Sequence, residues 1–355
     1  MMPKALRWLI GFISAVIVLG IFGITAALGM AAYLNAPPDK PPALSGDAMR
    51  YDENGGLILE VRGGETAQSV GSRLEAAGVI KNKNFWSILA RFDKKHIKAG
   101  TYRIALPASQ TAIRAILVAG ETILIRVTIP EGVTLKKTAG ILEEMGICGA
   151  NEFLAASSSK EIIDAYGIPG ATMEGYLFPD TYFFPPAYPA SRVVSAMADN
   201  FYRRLLEIDS DISEMNAAEI NRRVIMASIV EREYRIDEEA SVMAGVFYNR
   251  LNIGMALQSC ATVVYVITEI QGKPHPEVLY NRDIEIKDPY NTYQYPGLPP
   301  GPISAPGVTA LRAAFFPAQT NYFYFRLVDA NAGQHYFSRT LDDHIRAGVL
   351  YLKGM

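Results

Sequence analysis

The hydrophobic pattern opens with one uninterrupted run. From Trp8 to Leu34 there is no Asp, Glu, Lys or Arg, and such a run exceeds the ~20 residues a helix needs to cross a bilayer. It predicts one uncleaved transmembrane helix over 8–34, because the apolar part of a cleaved signal peptide is shorter, roughly 7 to 15 residues. Lys4 and Arg7 precede the run, which keeps residues 1–7 in the cytoplasm and places everything after the helix outside. The next stretch, 35–55, carries Pro37, Pro38, Pro41 and Pro42 and predicts an extended, semi-rigid spacer.

Past the spacer the apolar positions recur in two similar blocks, LILEVRGGETAQSVGSRLEAAGVIKNKNFW and RVTIPEGVTLKKTAGILEEMGICGANEFL. With a constant offset of 68, Gly64 falls on Gly132, Thr66 on Thr134, Leu74 on Leu142, Gly78 on Gly146 and Phe85 on Phe153. Each block predicts a strand, a glycine turn, a threonine that caps a helix and a glycine that ends it. The helices present apolar stripes, Val70, Leu74 and Ala77 in the first and Thr138, Leu142 and Met145 in the second. Further on, GTYRIALPASQTAIRAIL resembles DTYFFPPAYPASRVVSAM, but Thr101 now falls on Thr181 at an offset of 80. The second copy therefore holds 12 additional residues between Phe153 and Thr181, the interval containing Glu174. The alternative is two unrelated βα units whose loop lengths coincide.

After Asn216 the pattern turns helical, with Asn216 and Glu219 at capping-box spacing. A second helix is expected from Asp237 through MAGVFYNRL to about Gly254. The Pro- and Gly-rich DPYNTYQYPGLPPGPISAPG excludes regular helix or central strand, and loops this long in compact domains are usually functional. Short strands NYFYFRLV and QHYFS and a helix from about Leu341 close the chain. The fold class is α+β.

Composition narrows the function. The 355 residues carry a formal net charge of -2, so no global basic field exists for nucleic acid and no nucleic-acid partner is expected. Cys148 and Cys260 are the only cysteines; their spacing supports neither a zinc site nor a disulfide framework, leaving one long-range disulfide open. His335 and His344, with Asp342 or Asp343, do not share a helical face at a spacing of nine, so no metal site is expected.

The densest candidate for chemistry is MEGYLFPDTYFF, where Glu174 lies among Tyr176, Leu177, Phe178, Tyr182 and Phe183. Apolar surroundings raise a glutamate's pKa, as a general acid requires, and aromatic faces suit sugar rings. By residue type alone, a solvated glutamate at a turn before an aromatic strand is the favoured reading, and only the motifs around it reverse that order. Asp180 is a second carboxylate placed at a turn, where its side chain bonds backbone N–H groups. Glu231 and Glu233 are two apart on a helical stretch and face different ways; Glu233 reads as a surface salt-bridge residue.

Taken together, EGYLFPDTY, ASIVERE, VFYNRL, GMALQS, PYNTY, GLPPGPI and GQHYFSRTLDDH resemble the endolytic murein transglycosylase (YceG-like) family over essentially the whole chain after the spacer. The resemblance implies a LysM-like subdomain over 56–122, a larger catalytic domain over 123–355, and Glu174 as the catalytic residue. Substrate would be peptidoglycan, cleaved between N-acetylmuramic acid and N-acetylglucosamine with a 1,6-anhydro end. Glu231 matches the family's IVE position. Tyr176, Tyr248, Asn249, Arg250, Gln258, Tyr290, Asn291, Thr292 and Tyr293 would line the cleft, each of them also suited to holding its own loop. No cofactor is implied. Implied partners are glycan strands, the membrane, and enzymes of wall synthesis; the implied location is the cytoplasmic membrane with the catalytic domain outside, in the periplasm where a second membrane exists. The family's LQSDPTV-like run is LQSCATV here, so Cys260 and Ala261 change the local site; a buried, inert Cys260 is expected. Two alternatives remain: a water-using glycosidase with Asp180 or Glu231 as second carboxylate, and a non-catalytic glycan-binding scaffold.

Overall fold

The computed structural model of the protein describes residues 4–40, 42, 49–51 and 55–353. The side chains of Lys4 and Arg7, residues 1–3, and spacer residues 41 and 43–48 lie outside the described residues. The chain divides into two compact units, Met1–Leu124 and Ile125–Met355.

The first unit begins with helix α1, Lys4–Asn35. Its part Gly11–Asn35, mean hydropathy 2.3, is long and apolar enough to cross a membrane. An antiparallel sheet follows, β1 (Met49–Tyr51), β2 (Leu57–Val61) and β3 (Gly100–Ile104), with β2 in the middle. Helices α2 (Ala67–Ala76) and α3 (Lys83–Asp93) connect β2 to β3, and α4 (Gln110–Ala119) follows. The interval 35–55 departs from the expected spacer in two places. Asn35, the last residue of α1, is tied to α4, its amide donating to the Thr111 hydroxyl at 3.1 Å and accepting from Thr111 N–H at 3.0 Å, and Met49 pairs with Leu59 in the sheet because its side chain joins the core. That core gathers Leu57, Leu59, Val70, Leu74, Trp86, Tyr102, Ile113 and Leu117.

The second unit starts with the same arrangement. Strand β4 (Ile125–Thr128) leads to α5 (Leu135–Glu144) and α6 (Ala150–Ser157). After a short helix α7 (Lys160–Ala165), β5 (Thr181–Phe184) returns antiparallel to β4, and α8 (Ala190–Ile208) follows. Helices α2 and α5 have the same bounds at the 68-residue offset. Thr66 and Thr134 each accept from the N–H three residues on. Gly78 and Gly146 each adopt positive φ after the helix, and Val79 and Ile147 donate back to Leu74 and Leu142. Registers also correspond, Leu57 opposite Ile104 and Ile125 opposite Phe184. Met145 is an exception to the expected stripe, 41% exposed where Ala77 is buried; at the helix end its longer side chain reaches past the packed face.

The remainder of the second unit is built on α9 (Ala217–Val230), whose Asn216 cap accepts from Glu219 N–H at 2.9 Å, and α10 (Asp237–Asn252). Then come α11 (Cys260–Tyr265), continued by a π-helical turn Val266–Ile270, α12 (Asn281–Ile284), and α13 (Val308–Phe315). A hairpin, β6 (Tyr324–Asp329) and β7 (Gln334–Ser338), precedes α14 (Leu341–Lys353). One hydrophobic core spans the unit from Val127 to Phe315 and includes Tyr176, Leu177 and Phe178. Cys148 and Cys260 are both free thiols.

Candidate active site

Glu174 sits at the tip of a tight turn, where Tyr176 N–H donates to Met173 O at 3.0 Å. Gly175 takes φ +81 there and its Cα lies so close to Pro302 that a Cβ would run into the ring, which is why the motif needs glycine. Met173 is fully buried and donates its N–H to Ser157 O, anchoring the turn to the end of α6. The turn aims the Glu174 side chain at the start of α5. Leu135 N–H lies 3.2 Å from both carboxyl oxygens, one of the donors a helix leaves free in its first turn. Tyr265, the last residue of α11, hydrogen-bonds the same carboxyl, and the ring of Tyr290, from the Pro-rich loop, lies 5.0 Å from Tyr265.

Glu174 is 7% exposed. Burial pushes its pKa up to about 8, the Glu269 carboxylate adds to the rise, and the Leu135, Gly175 and Tyr265 donors oppose it. Near neutral pH the group is therefore predominantly a neutral acid, yet its conjugate base has donors waiting. Such a group can give a proton and take one back. Beside it opens a cavity of about 280 Å³ lined by Thr134, Lys136, Lys137, Arg232, Tyr265, Glu269, Lys273 and His275 among others.

The other residues expected at the site are placed unevenly. Tyr290 is beside the acid, as above. Tyr176 is buried and donates to the Asn221 amide oxygen at 2.8 Å, on the far side of the turn. Glu231 accepts from Gly307 N–H at 2.9 Å, and burial, partly offset by that bond, raises its pKa to about 8, with Glu131 adding to the rise. Tyr248 donates to Ala314 O, Asn249 to Thr320 O and Tyr322 O, and Arg250 to Phe323 O and Leu257 O. Those three side chains brace backbone between α10, α13 and the hairpin. Asn291 likewise donates to Ile284 O and Ile286 O. Thr292 receives Ser259 N–H and meets the Thr262 hydroxyl, joining the Pro-rich loop to α11. Gln258 is exposed with φ +52, and Tyr293 Oη lies 3.1 Å from Cys260 Sγ.

Three further expectations are settled by geometry. Asp180 accepts from Thr181 N–H at 2.7 Å and from Asn200 and Arg204; burial works against ionisation, but these donors outweigh it and hold its pKa below the usual value. Glu233 makes no surface salt bridge: it accepts from the Ser259 hydroxyl and from Ala261 N–H at the start of α11, because the chain ends α9 and turns inward there. Cys260 is exposed rather than buried, since the first turn of α11 points it out toward Tyr293. His335 Nδ1 lies 2.7 Å from Glu239, and the His344 ring lies against Tyr324.

Sequence reasoning did not reach Leu135, Tyr265, Glu269 or the cations of the cavity. A signal for Leu135 existed in the repeat: a capping threonine at 134 implies free N–H groups at the next residues, in the copy that also holds the extra carboxyl. Tyr265 and Glu269 gave none, because VVYVITEI is rich in β-branched residues that favour strands.

Fold and site together define a protein that presents a protonated carboxylic acid, backed by a helix N-terminus and two tyrosines, to a polar cavity in the second of two similarly built units. Residues 59–348 match the model of the YceG-like family, and the chain belongs to that family. It is 29% identical to the endolytic murein transglycosylase of Bacillus subtilis strain 168, over 86% of this chain and 88% of that one. It is also 29% identical to the endolytic murein transglycosylase of Streptococcus pneumoniae strain D39, over 80% of this chain but only 56% of that longer protein. A crystal structure of a YceG-like protein from Listeria monocytogenes aligns with a TM-score of 0.53 and 29% identity, covering 82% of this chain and 98% of that one.

Proposed function

We propose that the protein is a lytic transglycosylase that cuts within peptidoglycan strands, with Glu174 acting first as acid and then as base. The observation that carries this reading is the neutral Glu174 carboxyl held against Leu135 N–H. In the first step the carboxyl proton passes to the glycosidic oxygen, and the bond between that oxygen and C1 of N-acetylmuramic acid breaks. In the second, the Glu174 carboxylate removes the proton from the 6-hydroxyl of the same sugar while O6 bonds to C1. The product is a 1,6-anhydro end and a free 4-hydroxyl on N-acetylglucosamine; acid and base are one group, restored at the end. An internal hydroxyl replaces a second catalytic carboxylate because its effective concentration is very high. The relatives' name and the family membership support the substrate.

Helix α1 supports anchoring by a single span of the cytoplasmic membrane, with both folded units outside, where glycan strands and the enzymes that make them are found. The strand–helix–helix–strand order of the first unit supports a LysM-like glycan-binding role for it.

A water-using glycosidase is the second reading, and it now rests on a different residue. Asp180 and Glu231 are occupied by donors, whereas Glu269 lines the cavity beside Glu174 and acts on it electrostatically. Mass spectrometry of products from purified glycan strands separates the two. Anhydro ends, absent with Glu174→Gln, support the transglycosylase; reducing ends that vanish with Glu269→Gln would replace it by the hydrolase.

A further inference from the structure

The cavity beside Glu174 is strongly cationic in a chain of net charge -2. Lys136 and Lys137 enter from the first turn of α5, Arg232 from the chain after α9, and Lys273 with His275 from beyond the π turn. Glu269 is the sole acidic group on its wall. Among the described residues, no ion pair engages any of these lysines or Arg232; of their side chains, that of Arg232 donates a hydrogen bond, to Gly132 O at 2.8 Å. Three elements far apart in sequence thus bring unpaired cations to one concave wall, against the N-terminal end of the α5 dipole, which also favours anions.

We infer that this wall is a carboxylate-recognition subsite, formed by Lys136, Lys137, Arg232 and Lys273, which selects strands by the acidic substituent on the muramyl sugar. The inference rests on the transglycosylase reading. Two sources supply that chemistry: the lactyl carboxylate of a strand without peptides, and the free carboxylates of stem peptides. Neutral polysaccharides of the same backbone lack both.

The test measures binding to the full-length Glu174→Gln protein in detergent, which keeps substrate intact, and cleavage by the unsubstituted chain. Four strand preparations are compared: peptide-free and peptide-bearing, each with its carboxylates free and with them capped as methylamides. Exposed charge pairs contribute a few-fold each, so capping should weaken binding roughly tenfold at low salt, with the difference shrinking as salt rises. The triple exchange Lys136→Gln, Lys137→Gln, Lys273→Gln on surface positions should erase the distinction between capped and uncapped strands. Affinity lost on capping peptide-free strands assigns the lactyl carboxylate as ligand; affinity lost on capping peptide-bearing strands assigns the stem carboxylates. Equal binding of capped and uncapped strands in both the peptide-free and the peptide-bearing pair, or a distinction surviving the triple exchange, overturns the inference. Failure of every strand to be cleaved would instead overturn the activity, and the binding comparison would still decide the subsite.

Discussion

Both carboxyl oxygens of Glu174 lie 3.2 Å from the backbone N–H of Leu135, although the two residues belong to segments that only the second of the two similarly built units brings together. The first copy has the equivalent helix, α2, starting at Ala67, but no inserted turn to face it. The acid therefore uses a donor that the fold already supplied and that the first copy leaves without a carboxyl.

Replacing Glu174 with Gln should lower cleavage by roughly 10²–10⁴-fold or more while stabilising the protein at neutral pH. The sign follows from the raised pKa, about 8 when folded against 4.5 unperturbed. The carboxyl's stabilising contribution is complete below about pH 4.5 and is lost as pH rises through about 8. At pH 7 the buried acid costs about 3 kcal/mol relative to a neutral isostere. Thermal unfolding of the full-length chain in detergent should show the Gln variant more stable at pH 8 and the difference gone at pH 4.

The same value shapes the rate profile. Cleavage requires the protonated acid, so kcat/KM should be level through neutral pH and fall tenfold per pH unit above about 8. A fall beginning near 5 would show that the free enzyme does not hold Glu174 neutral.

Much of this fold was readable before any coordinates, and for identifiable reasons. The threonine caps at 66 and 134 and the glycines at 78 and 146 act locally, so their spacing alone predicted helices with matching ends. The amphipathic stripe of Val70 and Leu74 did the same for burial. The site was only half readable. Tyr248, Asn249, Arg250 and Asn291 looked like ligands for sugars because they are polar residues in conspicuous motifs, but in the fold their polar atoms meet backbone carbonyls. Tyr265 and Glu269 were hidden because their β-branched surroundings were packed into helix by tertiary contacts that override local preference.

Gly175→Ala should destabilise the second unit by about 1–3 kcal/mol and cut activity with it. Positive φ penalises any side chain there, and the added methyl would meet Pro302 and Val224. Chemical denaturation followed alongside cleavage tests this; an alanine variant with unchanged midpoint would mean that the turn relaxes freely.

Glu233 is a positioning residue for the site. It receives the Ser259 hydroxyl and Ala261 N–H, and thereby orients the start of α11, the helix that ends in Tyr265. Glu233→Leu leaves both donors without an acceptor, each costing about 1–3 kcal/mol. It should lower kcat and move the alkaline limb of the rate profile, because Tyr265 would no longer reach Glu174. Glu233→Gln keeps one acceptor oxygen and should restore most of the rate. If both variants fold and retain the wild-type profile, α11 does not depend on this carboxyl.

A matched pair of cap substitutions separates stability from catalysis. Thr66 and Thr134 each accept one N–H at the start of α2 and α5, so Thr66→Ala and Thr134→Ala should each cost about 1 kcal/mol of helix stability. Only the second helix begins beside the acid. Thr134→Ala frees the first turn of α5 to fray, which loosens the Leu135 donor, weakens its opposition to the rise in the Glu174 pKa, and moves the alkaline limb upward. Thr66→Ala, with the same local defect in the other unit, should leave that limb where it is. Identical profiles for the two variants would show that the Leu135 donor does not tune the acid.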